Sequence, residues 1–577
     1  MTAVSRLIPP YNPPGLPEPQ EILDVMQREL RRSLDGMVVP GSPRPYFMLY
    51  ALRRVHALRL RAAHGALLRS REQTHANIYA DVRVGSHKFD NVIDGGLGDG
   101  AEERESSDWI DAPDDLNLQA LQIALWKLTQ LKFDEALEDY YDHKKAMLSE
   151  YLRDEVSAMT RERPVVHKEA LHHDDFPRAA WERVLVDLSR RFLQHPEIYD
   201  PGISLSAERI HRWLVTSEGT QILTEDVFIQ IGFEGWVLTD DGVYVEGSRQ
   251  LYLRAIEEVP DRVSLEHILD EVIAELAQLR LAESPGAFIG PALLSGQAAS
   301  TLFHEALGHR LEGERLVARG ESKTFARKKG ERILPPGLNV LDDPTMTHCG
   351  NEPLWGSYRV DDEGVAARRT LLVEDGILRG FLQSRTPVPG SDHSNGHGRH
   401  DGIERPMARM GNFVVEGVEG KGETWEALKV RLSELARFQG RRYGVIIRRI
   451  LAGETSTADY DFQVFKGVLA EVHLVDATTG VSRRIRDVEL IGTPLAALQR
   501  IVAFGSDRET DQGFCYAESG SIPVSGIAPP ILLTELELQQ SSTTGYHDPL
   551  LPPPFADDGS RGRKGGLRSR GKRRSPV

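Results

Sequence analysis

Hydrophobic and polar positions along this chain fall into three regimes. Near the start the period is two: Leu58, Leu60 and Ala62 alternate with Arg59 and Arg61, and Ile78, Ala80, Val82 and Val84 alternate with other residues. Such alternation predicts half-buried strands, here joined around Gly65 and the polar stretch 70–75. The arginines between Arg53 and Arg71 then read as a solvated sheet face rather than a nucleic-acid surface. Beyond an acidic loop at 95–115 the period becomes helical. Leu118, Leu121, Leu125 and Leu128 predict one long amphipathic helix, or two, in the charged stretch to Arg163. Ile268, Val272, Leu276 and Leu279 predict another, with Ser264 as N-cap and Ser284-Pro285 as its stop.

The third regime begins near residue 285. Gly290–Leu294 reads as a short strand, and Gly296 opens a helix. From about residue 355 short strands are broken by Gly, Asp and Asn: 369–373, 377–383, 413–415, 443–449, 464–475 and 531–538. That pattern predicts a sheet-rich sandwich or partial barrel. The fold class expected is α+β, with an α/β N-terminal domain over 21–284 and a β-rich C-terminal domain over 285–548. A Pro-rich arm (1–20) precedes them and a basic tail (549–577) follows.

Composition narrows the classes. The chain has 577 residues, 40% of them hydrophobic, and no apolar stretch near the roughly 20 residues of a membrane span. Mean hydropathy is −0.35. With no signal-peptide core at the start, a cytoplasmic protein is expected. Two cysteines, Cys349 and Cys515, exclude a disulfide framework. Residues 559–577 carry eight basic side chains and no acid, so a chain of net charge −16 leaves −24 on residues 1–558. That acidic body argues against nucleic acid as a partner.

The helix opened by Gly296 carries the chemistry, His304-Glu305-Ala306-Leu307-Gly308-His309. Two imidazoles with a carboxylate beside the first can hold a divalent metal and deprotonate a water. One residue more separates the histidines than in His-Glu-x-x-His, so a regular helix would aim the rings roughly 140° apart. A one-residue π-bulge eased by Gly308 would reunite them. A third ligand is required, and Cys515, Cys349 and Glu312 all qualify by type. Cys515 lies in a Gly-, Ser- and Pro-containing segment that reads as a loop feeding a strand.

Several blocks together resemble the TldD/PmbA (TldD/TldE) metallopeptidase family. His304–His309 with Glu312-Gly313 is similar to the catalytic helix of the TldD-type subunit. Asp361-Asp362-Glu363-Gly364 with 369–376, then 394–399, 406–412, 487–492 and the Cys515 segment resemble later blocks, and 83–85 with 89–91 an N-terminal one. The resemblance spans roughly residues 20–540. It implies an α/β N-terminal domain, a β-rich C-terminal metallopeptidase domain, and a dimer, either homodimeric or with a paralogue. It also implies one zinc per chain held by His304, His309 and Cys515, Glu305 as general base, and peptides or unfolded polypeptide as substrate. Arg399, Arg409 and Asn412, in those blocks, are expected to anchor peptide carboxylate or carbonyls. The chain departs from the family where Tyr516-Ala517 replaces the usual Gly-Lys after the cysteine. The competing reading is a non-catalytic, substrate-binding partner subunit, which the intact motif disfavours.

Overall fold

The computed structural model describes residues 15–97, 108–149, 156–321, 323–458, 464–541 and 554. Most of the arm and nearly all of the basic tail lie outside the described residues. Among those described, Pro19–Gly36 is already helical, so helix replaces the last two positions of the expected arm. No helix is long and apolar enough to cross a membrane among the described residues.

The first half is built on an eight-stranded sheet in which Ala66–Ser86, Pro45–Ala63, Ile198–Thr216 and Gln221–Leu238 lie side by side. These central pairings are antiparallel; Val166–Lys168 adds in parallel at one edge. The strands are far longer than the alternation at 58–62 and 78–84 announced. Even-numbered positions face helices: Met48, Tyr50 and Leu52 pack beneath Pro19–Gly36 and Leu118–Ser149. Leu58, Leu60 and Ala62 pack beneath Arg178–Ser189 and Arg262–Leu281. The odd face divides by position along the strand. Arg59 and Arg61 sit half-exposed and pair with Glu208, Asp200 and Glu234. Phe47 and Leu49 are buried with Val360, and Val55 and Ala57 with Trp355, both from the second half of the chain.

Two helix boundaries differ from expectation. The 262–281 helix is capped by Asp261, whose Oδ1 accepts the Ser264 amide at 2.8 Å, because an N-cap serves a donor three residues on. The long helix is described to Ser149, and residues 156–163 are not helical.

In the second half, a six-stranded sheet runs in the order Ile377–Leu378, Thr370–Glu374, Leu338–Asp342, Asn412–Gly417, Gly520–Ala528, Glu509–Ala517. In the other sheet Tyr443–Thr455, Phe288–Leu294, Ile531–Gln540, Val488–Gly492 and Phe465–Asp476 pair in turn. The last returns to Tyr443–Thr455, so five strands close into a partial barrel. Of the expected 377–383 strand only Ile377–Leu378 is a strand, with Leu382 making a single bridge to Glu312. Between the two sheets lies the helix Gly296–Ala306, with Ala298, Ala299, Leu302, Phe303 and Ala306 fully buried. Ser295 caps it, its Oγ accepting the Ala298 amide.

The halves are tied at the turn 360–363. Arg212, from the first sheet, donates to the Val360 carbonyl at 2.8 Å and to the Asp362 carboxylate. Asp361 accepts three backbone amides (Glu363, Val365, Gly398), and Glu363 accepts that of Arg385. Burial first, and then a neighbouring carboxylate (Asp362 for Asp361, Asp361 for Glu363), pushes the Asp361 and Glu363 carboxyls above the usual carboxylate range. A carboxyl whose pKa is raised on folding keeps a proton that the unfolded chain has released. Its contribution is therefore intact below the unfolded value of about 4.3 and is lost as pH rises toward neutrality. Glu363→Gln is expected to flatten that decline. Melting at pH 5 and pH 8 should show the wild type losing more stability than the variant over this interval.

Candidate metal centre

The helix Gly296–Ala306 delivers His304 and Glu305 on its last turn. Leu307 then leaves helical geometry (φ −124°, ψ −52°), and Gly308–Leu311 tightens into a 3₁₀ turn. This break, rather than a π-bulge, overcomes the 140° divergence. It brings the two rings to 4.8 Å between centroids, at 85°. Gly308 has a different part from the one expected: a Cβ there would lie 2.2 Å from the Met410 sulfur, so the turn seats against Met410 only without a side chain.

Cys515 comes from a strand, not a loop. Glu509–Ala517 and Gly520–Ala528 form a hairpin with Cys515 opposite Ile522, and the Gly, Ser and Pro residues that suggested a loop sit within it. Cys515 Sγ lies 3.2 Å from His304 Nε2 and 3.4 Å from His309 Nε2. The three donor atoms lie within 4.8 Å of one another. Burial alone would raise the Cys515 thiol; His309 and His304, with Arg409 behind them, hold it well below its usual range. Two imidazole nitrogens and a thiolate converging in this way suit zinc by donor type and number. Cys349, in a separate short hairpin (His348–Cys349 with Glu352–Pro353), is not part of the cluster.

Glu312 lies behind His309, outside the converging donor set. Its Oε1 lies 3.1 Å from His309 Nδ1, which leaves Nε2 for the cysteine side. Its Oε2 accepts Arg315 Nε at 2.8 Å, and Arg409 Nε lies 3.5 Å from Oε1. Burial would raise this carboxyl, but His309 and Arg315 bring it to about 2. Arg315 continues to both oxygens of Glu518, at 3.0 and 2.8 Å, three residues beyond Cys515. The network thus leaves one ligand and returns beside another.

The donors open onto a cavity of about 490 Å³. Glu305, Thr301, Asp511, Gly513, Tyr252 and the segment Leu451–Thr455 line it. The Glu305 side chain packs on Gly453, where a Cβ would come within 2.6 Å of it. Asp511 accepts Gln297 Nε2 at 2.8 Å and Thr301 Oγ1 at 2.9 Å. Phe514 and Tyr516, flanking Cys515, are both exposed.

The residues expected to anchor a peptide lie elsewhere. Arg399 is buried over the Tyr358 ring and donates to the Met410 carbonyl. Asn412 is fully buried and donates to the Asp343 and Met346 carbonyls. Arg409, also fully buried, donates to the Cys515 carbonyl and Ser519 Oγ, each at 2.8 Å. None of the three lines the cavity. Arg409 instead fixes the backbone of the cysteine strand. Sequence reasoning did not reach Asp511, Arg315, Glu518 or Tyr252. Arg315 stands three residues after Glu312, a helical-spacing signal, and Asp511 shares a strand face with Cys515 once that segment is read as a strand. Tyr252 comes from the first half and leaves no local signal.

Residues 289–540 match the PmbA/TldA metallopeptidase C-terminal domain, so the region holding the cluster is a domain of that class. Over these residues the chain is similar to the TldD/PmbA family. It is 29% identical to a metalloprotease of Archaeoglobus fulgidus over 270 residues, 45% of this chain and 56% of that protein. A zinc metalloprotease TldD homolog of Saccharolobus solfataricus is 21% identical over 352 residues, 60% of this chain and 72% of the homolog. Overall, the chain spans about half the length of the curated relatives it matches. The crystal structure of TldE from Thermococcus kodakarensis shares the fold, with a TM-score of 0.58 at 14% identity over 89% of this chain and all of that one.

Removing Arg409 would leave Glu312 with one fewer cation and three oxygen acceptors around the hairpin without their donor. Breaking a buried pair from one side costs about 3–5 kcal/mol, so Arg409→Met is expected to lose stability on that scale. Urea denaturation checks it; a loss under 1 kcal/mol would show that the hairpin is held by other contacts.

Proposed function

We propose that the chain is a zinc-dependent peptidase that hydrolyses peptides or unfolded polypeptide segments. The observation that carries this reading is the convergence of His304, His309 and Cys515 beside Glu305 in one cavity. His304 and His309 would hold the metal through Nε2, and Cys515 through its thiolate. Zinc bound there supplies Lewis acidity toward a water and the scissile carbonyl. Glu312 holds His309 in the tautomer that leaves Nε2 free, and Arg315 keeps Glu312 ionised. Glu305 accepts the proton of the attacking water and delivers it to the leaving amine. Its place next to His304, facing the cavity, suits that shuttle.

Two strand edges support an extended substrate. Glu509–Ala517 is terminal in its sheet. Tyr443–Thr455 pairs with Phe288–Leu294 only through Ile447, so its Leu451–Thr455 portion faces the cavity with that side unpaired. A peptide laid between them could pair its backbone with either edge, which a compact folded protein could not do. The resemblance to TldE speaks for a non-catalytic partner subunit, but the complete donor set together with Glu305 favours the catalytic reading. A second copy or a paralogue is the partner this reading expects.

Zinc titration of metal-stripped protein is expected to saturate near one ion per chain. Cys515→Ala should abolish it, Cys349→Ala should leave it, and Glu312→Gln should weaken it by about 10–100-fold. Unchanged zinc content in Cys515→Ala would refute the ligand set. Glu305→Gln should retain zinc yet lose about 10²–10⁴ in peptide turnover; wild-type turnover would move the base elsewhere. With a stable protein offered folded and denatured, only the denatured form should be cut. Equal cleavage of both would overturn the strand-edge reading of substrate form.

A further inference from the structure

The cavity wall is not neutral. Among its described lining residues Arg315 is the one arginine and there is no lysine. Arg315 is already paired with three carboxylates, those of Glu312, Glu321 and Glu518. Against it stand Glu305, Glu454 and Asp511, none of which makes an ion pair within the described residues. Arg310, close behind Glu305, is committed to the Glu305 carbonyl, Thr455 and Ser456. The cavity therefore offers uncompensated negative charge, and Asp511 is the carboxylate with a defined aim.

Three features give Asp511 that aim. Asp511, Gly513 and Cys515 alternate along one strand, so all three project to the same side, toward the helix that carries His304. The carboxylate is oriented by one neutral donor on each oxygen, Gln297 Nε2 and Thr301 Oγ1, which leaves lone pairs on both for a further donor. Between Asp511 and Cys515 the floor is Gly513. A Cβ built there meets only the Tyr252 hydroxyl, at 3.9 Å, so the strand leaves a gap roofed by that hydroxyl. Thr301 precedes His304 by three residues, about one helical turn or ~5 Å along the axis. That offset matches the length of a long side chain rather than a group bonded directly to the scissile carbonyl.

We propose that Asp511, set across Gly513 from Cys515, is the counter-ion for a lysine or arginine side chain of the bound peptide, an inference that rests on the peptidase reading above. The gap over Gly513 admits the aliphatic stem, Tyr252 closes it from the first half of the chain, and the neutral donors hold the carboxylate without competing for a cation. The peptide preferred is therefore cationic, and an acidic residue in the same place is rejected by Asp511, Glu305 and Glu454 together.

The test compares peptides that differ only in arginine against citrulline, its uncharged near-isostere, moved through successive positions. Binding of labelled peptides to the full chain is read by fluorescence anisotropy in the presence of a chelator, and cleavage is read after zinc is restored. At one position the wild type should bind arginine about ten-fold or more tightly over citrulline, the scale of a charge-assisted hydrogen bond. Asp511→Asn should erase that preference while leaving citrulline binding within about two-fold. Gly513→Val, which fills the gap with a residue suited to a strand, should lose arginine binding while a glycine at that peptide position still binds. Melting curves of both variants establish that they are folded. Equal binding of arginine and citrulline at every position by the wild type overturns the proposal, as does a preference that survives in Asp511→Asn. Selective binding without any cleavage would uphold the subsite and refute the peptidase reading; cleavage without selectivity would do the reverse.

Discussion

The buried carboxylate of Glu312 is the constraint around which the second half of the chain is arranged. A fully buried anion is costly unless paired and hydrogen-bonded on both oxygens. Here His309 and Arg315 supply those bonds, with Arg409 close behind. Each partner is thereby fixed, and each fixes something else. His309 is turned so that Nε2 meets Cys515, Arg315 grips Glu518 at the hairpin end, and Arg409 holds the Cys515 carbonyl. Helix terminus, hairpin and the loop ahead of Asn412–Gly417 are locked to one point. The three converging donor atoms are thereby supported from behind.

The fold around that point explains why a helix break is tolerated. Gly296–Ala306 is buried nearly all round and sits between two sheets, where its position is set by burial. Its C-terminal end faces the cavity, so Leu307 can abandon helical geometry without exposing the core. The first half contributes less to the chemistry than to the enclosure. Its odd sheet face packs on the Trp355 and Val360 segments, and Tyr252, packed against the Trp355 cluster, forms part of the cavity wall.

How much of this the sequence disclosed depended on the range of the interaction. The strands of the first half and the 262–281 helix were legible because their periodicity is local and one face is buried. The lengths of those strands were not, because their odd faces are buried against residues some 150–300 positions away. The histidine pair was visible, whereas the way it converges was not: a π-bulge and a helix break satisfy the same spacing, and nothing local to the motif distinguishes them. Cys515 was a candidate by residue type and by family resemblance. Its strand was hidden because Gly513, Gly520 and Pro523 are turn-formers by composition yet occupy paired positions in a hairpin. Arg399, Arg409 and Asn412 show the opposite failure, since motif position marked them for a ligand and burial assigned them to carbonyls of the chain itself.

The separation of the donors along the chain has a consequence for how the protein matures. His304 and Cys515 lie 211 residues apart, on a helix and a strand that meet only through tertiary packing. Contacts so distant in sequence are slow to form, because the entropy of closing the intervening loop is lost before they reward it. A metal that needs both donors would therefore bind the finished chain and not a species in which the two elements are still apart. A partly folded chain is itself an extended polypeptide of the sort proposed as substrate. Under the proposed function, a chain in which the two elements have not yet met lacks the centre needed to cut other chains during synthesis.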